Sequence, residues 1–266
     1  MSLKTQNVFD STSKDLINHW IHEATSGHIN EILNDFDPKD TVLIIASVVH
    51  FTAYWQTQFS KAQTHVKRFH LLDGTTKSHP MMYRTDALLY YHTDTFEAVS
   101  LPYSAPNATN DIRMNIFLPA VNSSLVEFQQ NFSQMLPGNW NSIFRLQHGT
   151  VGLPRFKIET RIELIDTLQS LGIKSAFDRK SANFSKIRGG EHYPLFISQF
   201  LHQSFIDVDE EGTEATAATL IEMQEDWGEG EYIRGFEMIV DRPFFFVIQD
   251  NTSGIVLFMG QIVEPI

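Results

Sequence analysis

The chain has 266 residues, 42% of them hydrophobic, which is enough apolar material for a large core. Lys and Arg number 20 against 32 Asp and Glu, a net charge of −12, and an acidic chain of this kind is a poor partner for nucleic acid or a heparin-like polyanion. Cysteine is absent, which excludes disulfides, thiol catalysis and cysteine-bound metal. No apolar run is long enough to span a bilayer, and Met1-Ser2-Leu3-Lys4-Thr5-Gln6 is too polar for a secretory signal.

Residues 13–35 read as helical. Leu16, Ile17, Trp20 and Ile21 recur at helical spacing, Ser13 is placed to cap the start, and Ile29, Ile32 and Leu33 form a second apolar stripe past Gly27. Residues 41–51 are β-branched and apolar on both faces, the pattern of a fully buried central strand, with Trp55 and Phe59 following. Strand-like pieces come next at Lys67–Leu72, Leu88–His92, Ala98–Leu101 and Arg113–Leu118, with turn signals at Asp73-Gly74 and Pro106-Asn107. Residues 124–134 and 161–171 read as helices. Val151–Ile158 and Ile197–Val208 read as strands, and 236–248 with 254–263 as a final strand pair. Helices and mostly antiparallel strands segregate rather than alternate, so the expectation is a single α+β domain over 1–266.

Conventional catalysis finds little support. The eleven histidines include His65 with His70 and His192 with His202, neither of which matches a metal-ligand spacing. There is no Gly-x-Ser-x-Gly elbow, P-loop or His-Glu-x-x-His, so neither enzyme activity nor a cofactor is expected. Asp209-Glu210-Glu211 reads as a solvated acidic turn in preference to a cation site. Asn-x-Ser/Thr sequons stand at Asn107, Asn122, Asn131, Asn183 and Asn251, of which Asn107 and Asn122 lie in polar, loop-like sequence.

The most informative stretch follows the strand at 197–208. Glu210-Glu211-Gly212-Thr213-Glu214-Ala215-Thr216-Ala217-Ala218-Thr219 is built so that Thr213, Ala215, Ala217 and Thr219 share one face of an extended strand, all small and uncharged. Glu214, Thr216 and Ala218 share the other. Such a segment can lie in water or enter a sheet edgewise without burying a charge, and Gly212 gives it a hinge. Ile221 and Met223 continue the inward parity, and Glu225 is its first charge.

This pattern resembles the proximal hinge of the serpins, the serine protease inhibitors. Leu153-Pro154-Arg155-Phe156-Lys157-Ile158, the following Leu171-Gly172-Ile173 and Ala182-Asn183-Phe184-Ser185, and the closing Phe236–Phe246 and Leu257–Gln261 also resemble that family, in its order. The resemblance runs from about Ser13 to Ile266. It implies a serpin-like mixed-sheet fold lacking the family's N-terminal helices and first sheet strands, and a reactive-centre loop over 210–235. It also implies inhibition by loop cleavage and insertion between residues 41–51 and Ile197–Val208. Carried forward from Glu210, the family spacing places the scissile bond between Asp226 and Trp227. Counted back from Pro243 it falls near Tyr232, with Arg234 close by. Asp226 suits a granzyme- or caspase-like pocket, Tyr232 a chymotrypsin-like one and Arg234 a trypsin-like one. Ser47 and His202 correspond to the polar cluster that controls sheet opening, with Ser47 where the family usually carries asparagine.

The expected partner is a target serine protease, with the chain a monomer or a loop-sheet oligomer in a secreted, glycosylated or alternatively cytoplasmic setting. Two other classes stay open: a non-inhibitory binding or carrier protein on the same scaffold, and a shortened, inactive or edge-pairing form.

Overall fold

The computed structural model describes residues 12–34, 43–104, 111–123, 125–135, 142–187, 195–213 and 235–266. In chain order the elements are α1 (Ser13–Ala24), β1 (Ile44–His50), β2 (Ala53–Tyr54), β3 (His65–His70), β4 (Thr76–His92), β5 (Phe96–Pro102) and β6 (Ile112–Pro119). Then come α2 (Leu125–Met135), β7 (Arg145–Pro154), β8 (Phe156–Glu163), α3 (Ile165–Ser170), β9 (Gln199–Val208) and β10 (Gly212–Thr213). The last are β11 (Phe236–Ile239), β12 (Phe244–Asp250) and β13 (Ile255–Ile262). The architecture is α+β, as the segregated pattern implied. The chain forms two compact units, Met1–Phe51 with Ile158–Ile206 and Thr52–Lys157 with Asp207–Ile266.

In the first unit, β1 and β9 run parallel, paired from Ile44↔Gln199 through Ser47↔His202 to His50↔Phe205. β8 also pairs with β9. Ile21, Ile29, Ile32 and Leu33 form a buried cluster with Leu201 and Phe205, and Ile44, Ala46 and Val48 pack against it. The apolar side chains of α1 and the segment after it therefore cover both strands at once. That stripe is not one helix, as the periodicity suggested. α1 ends at Ala24 because Ser26 and Gly27 adopt φ of 52° and 87°, the left-handed conformation that terminates helices. Asn18 then ties the extended piece to the helix, accepting from Ile32 and Leu33 N–H and donating to the Leu33 carbonyl. Ser13 is buried and Thr12 occupies the N-cap position, with no side-chain cap bond.

The expectation of a fully buried β1 also fails. Every residue from Ile44 to His50 is half-buried, and among the described residues the strand has β9 as its one partner. Apolar content on both faces shows that a strand can be buried on both sides; it does not show what is there to bury it.

In the second unit the strands lie in the order β11-β7-β4-β5-β6-β12-β13, with β3 added to β4. The span read as one strand over 236–248 is two. β11 pairs parallel with β7 and β12 pairs antiparallel with β6 and β13. Asp241-Arg242-Pro243 makes the break, since proline offers no N–H to a ladder. Likewise the single strand expected at 151–158 is the end of β7 and the start of β8, and the helix expected at 161–171 shortens to α3. Beneath α2, Phe96, Phe117, Phe128, Phe132, Phe144 and Phe245 form an aromatic core with Val247. Edge-on contacts such as Phe132 to Phe245, with centroids 4.7 Å apart, hold the helix on the sheet.

Candidate functional site

At the end of β9 the chain turns back on itself. Asp209 Oδ1 accepts from the backbone N–H of Glu211 at 2.8 Å and of Gly212 at 3.1 Å, and Asp209 N–H donates to the Gly212 carbonyl. This is an Asx-type turn, the local geometry short acidic side chains favour. Its product is β10: Gly212 pairs with Tyr54 and Thr213 with Ala53, both antiparallel to β2, while Thr213 also pairs with Val208. Thr213 thus stands between two strand segments. Three residues earlier on both segments, His50 and Phe205 pair directly.

The requirement for glycine at 212 is steric. A methyl there would lie 2.1 Å from the Ala53 carbonyl oxygen, and φ is +156°. Thr213 is fully buried, and its Oγ1 lies 2.7 Å from the Tyr103 hydroxyl. Burial holds that phenol well above its ordinary pKa, so it stays a neutral hydrogen-bonding group. Tyr103 is fixed in turn by stacking on Trp55, with centroids 4.5 Å apart and planes at 8°. Trp55 closes the circuit: its indole N–H donates to the Asp209 carbonyl and its backbone N–H to the Glu211 carbonyl.

The acidic triplet is not the solvated turn its composition suggested. Glu210 is 1% exposed, and its Oε1 accepts from Arg155 Nη2 at 2.6 Å, from Arg155 Nε at 3.0 Å and from the Thr64 hydroxyl. Phe59 N–H donates to its carbonyl. Burial pulls the Glu210 carboxyl upward, but hydrogen bonds from Arg155 and Thr64 outweigh it and leave the pKa below the usual range. Asp209 moves the other way: burial raises it, against the backbone N–H bonds that lower it. Glu211 pairs with Lys61 at the surface.

On the first unit, Ser47 and His202 face each other across the seam, with Oγ and Nδ1 3.3 Å apart. Both are half-buried. The remaining hinge residues Glu214, Ala215, Thr216, Ala217, Ala218 and Thr219, and the scissile-bond candidates Asp226, Trp227, Tyr232 and Arg234, lie outside the described residues. Description resumes at Gly235. The next residue, Phe236, lies with its ring stacked on Tyr90 at 3.9 Å, over a glycine at 149 where a methyl would collide with it.

No local sequence pattern pointed to the side chains that hold 209–213. Arg155, Thr64, Trp55 and Tyr103 reach that stretch with side chains 55 to 154 residues away along the chain. The one signal was Arg155 itself, a cation set between Leu153-Pro154 and Phe156 in apolar strand sequence.

β1 and β9 pair in parallel, and β10 returns antiparallel between Ala53 and Val208. A family model described as serpin, serine protease inhibitor, matches residues 2–265, and the chain belongs to the serpin family. An uncharacterized serpin-like protein of Methanosarcina acetivorans is 35% identical over 262 residues, covering 95% of this chain and 58% of the relative. Plasminogen activator inhibitor 1 of Sus scrofa is 32% identical, covering 94% and 61%. The crystal structure of tengpin, a thermophilic serpin in the native state, superposes with a TM-score of 0.82 at 31% identity, covering 96% of this chain and 64% of that one. The chain therefore spans about three fifths of the length of the relatives it matches.

Proposed function

We propose that this chain inhibits a serine protease by the suicide-substrate route, with 210–235 as bait. The protease's serine oxygen attacks the carbonyl carbon of the scissile residue, Asp226 in the first instance. An ester to the enzyme forms, the peptide bond to Trp227 breaks, and the new amine of Trp227 leaves with a proton. The freed strand following Thr213 then enters between β1 and β9, drawing the esterified protease with it before water completes the reaction. Tyr232 and Arg234 are the alternative scissile residues. Loop insertion is a known switching mode of this family.

The observation that carries the reading is the register at the seam. Thr213 pairs with Ala53 on one side and Val208 on the other, and every residue of its parity as far as Thr219 is small and uncharged, which supports entry of the segment that follows. Insertion exchanges the parallel β1–β9 pairs for two antiparallel ladders, so backbone hydrogen bonds are gained. Ser47 and His202 must part for it, which gives them the role of a polar check on the seam.

The test is incubation with serine and caspase-type proteases. A band at the combined mass that survives denaturant supports trapping, and sequencing the released peptide identifies the cut bond. Turnover without such a band, together with an unchanged melting temperature after loop cleavage, would eliminate the mechanism.

A further inference from the structure

Three rings meet at the C-terminal end of the β1–β9 seam. His28 stacks on His50, with centroids 4.8 Å apart and planes at 21°. Both contact Phe205, at 5.3 and 5.9 Å. His50 and Phe205 are register partners on β1 and β9, so His28 lies over the last direct pair of the seam. Its position is built. Gly27 N–H donates to the His22 carbonyl, His28 N–H to the Thr25 carbonyl, and Thr25 Oγ1 accepts from Ile29 N–H. Phe205 and Ile29 belong to the buried cluster that binds this segment to both strands.

We propose that His28 and His50 form a proton-sensitive clasp on the β1–β9 seam, closed when both rings are neutral and loosened when a proton is added.

The electrostatics run in that direction. Burial lowers the His50 pKa from its ordinary 6.5, and His28 lowers it further. A first cation gains some attraction from the neighbouring π faces, but it loses solvation; a second faces a like charge one ring away. Other ionisable groups on the flanking elements are already engaged or lie beside the stack. On α1 and its extension, His22 contacts Asn30, His19 pairs with Glu23 and Lys14 pairs with Glu31. On β9, Asp207 follows Phe205 by two residues on the same face and His202 contacts Ser47, and β1 offers no ionisable group but His50.

Because the closed form binds the His50 proton less well than the open form, its stability is complete above pH 6.5. It is lost as pH falls from there through the lowered value. The clasp itself needs no protease. Its consequence, easier loop entry in acid, rests on the insertion mechanism proposed above.

The experiment is amide exchange of Ile44–His50 and Gln199–Phe205 in the full chain at pH 7.5 and 5.0, corrected for intrinsic rates. Alongside it go His50→Phe, which keeps a ring, and His28→Gln, which keeps His50. The wild type is expected to open more readily at pH 5.0, by about tenfold for each unit of lowering. His50→Phe should lose that response, and His28→Gln should reduce it. Equal pH responses in all three proteins would overturn the proposal, as would a wild-type seam indifferent to pH. If His50→Phe does not fold, His28→Gln and the NMR titration of His50 decide: a ring that titrates at or above 6.5 overturns the clasp. A protein that shows the clasp but traps no protease would refute insertion alone.

Discussion

The seam of the first unit and the hinge anchor of the second are held by different physics. Between β1 and β9 the bonds are backbone to backbone, repeated from Ile44 to His50 with no charged side chain on β1. At 209–213 the bonds belong to particular side chains: a buried carboxylate on a guanidinium, a hydroxyl on a phenol, an indole on a carbonyl. A ladder of peptide groups is indifferent to which strand completes it, so it can be opened and rebuilt around a newcomer. A side-chain lock is specific and breaks when one member is lost. In the proposed mechanism the anchor holds the start of the loop while the seam opens.

Substitutions at the two regions should therefore fail differently. The largest effect is expected from Thr213→Arg, since the side chain is fully buried. Burying an unpaired charge there costs several kcal/mol, on the order of the whole margin of a fold. The variant should be cleaved as a plain substrate; gel analysis that still showed a denaturant-resistant complex would show that Thr213 does not enter the sheet.

Next comes Arg155→Ala, which leaves the Glu210 carboxylate buried with Thr64 and costs about 2–4 kcal/mol. Thermal melting measures it, and Glu210→Gln in the same background should recover part of the loss. Full stability in Arg155→Ala would mean that the pair is not an anchor. Gly212→Ala, with its methyl against the Ala53 carbonyl, should cost about 1–3 kcal/mol and shift the hinge rather than the seam. Exchange protection lost equally in both units would contradict that.

Smaller still are the pH slopes of the turn. The Glu210 pKa is lowered, so its contribution is present above the unfolded value and is lost as pH falls through the folded one. The Asp209 pKa is raised, so protonating it as pH falls stabilises the folded form relative to the unfolded. Melting curves from pH 6 to 3 should accordingly be shallower than wild type for Glu210→Gln and steeper for Asp209→Asn. Slopes of the same sign would refute the opposed assignment. At the seam, Ser47→Ala removes a long contact and should change stability by less than about 1 kcal/mol, read from the same melts.

Legibility followed sequence distance. The features behind the proposed hinge, small residues at alternate positions and a glycine, were readable because they stand in one short stretch. The α+β class was readable because periodicity is local. Residues 28–34 were misread as helix although their apolar positions do face the core: burial pattern survived, while Ser26 and Gly27 decided conformation. Glu210 was misread as solvated because its neighbours along the chain are acidic, whereas its neighbours in space are Arg155 and Thr64.

By itself the sequence determined the family, the segregated α+β pattern and the run of small, uncharged residues at alternate positions from Thr213 to Thr219. These rest on spacing between near residues, which no tertiary contact alters. Tertiary structure alone decided that Thr213 pairs with both Ala53 and Val208, that the buried Glu210 carboxylate, held by Arg155, secures the turn before it, and that two histidines meet over the seam. Those facts depend on chain segments brought together from opposite parts of the sequence, and the energy of such a meeting is a property of the folded geometry.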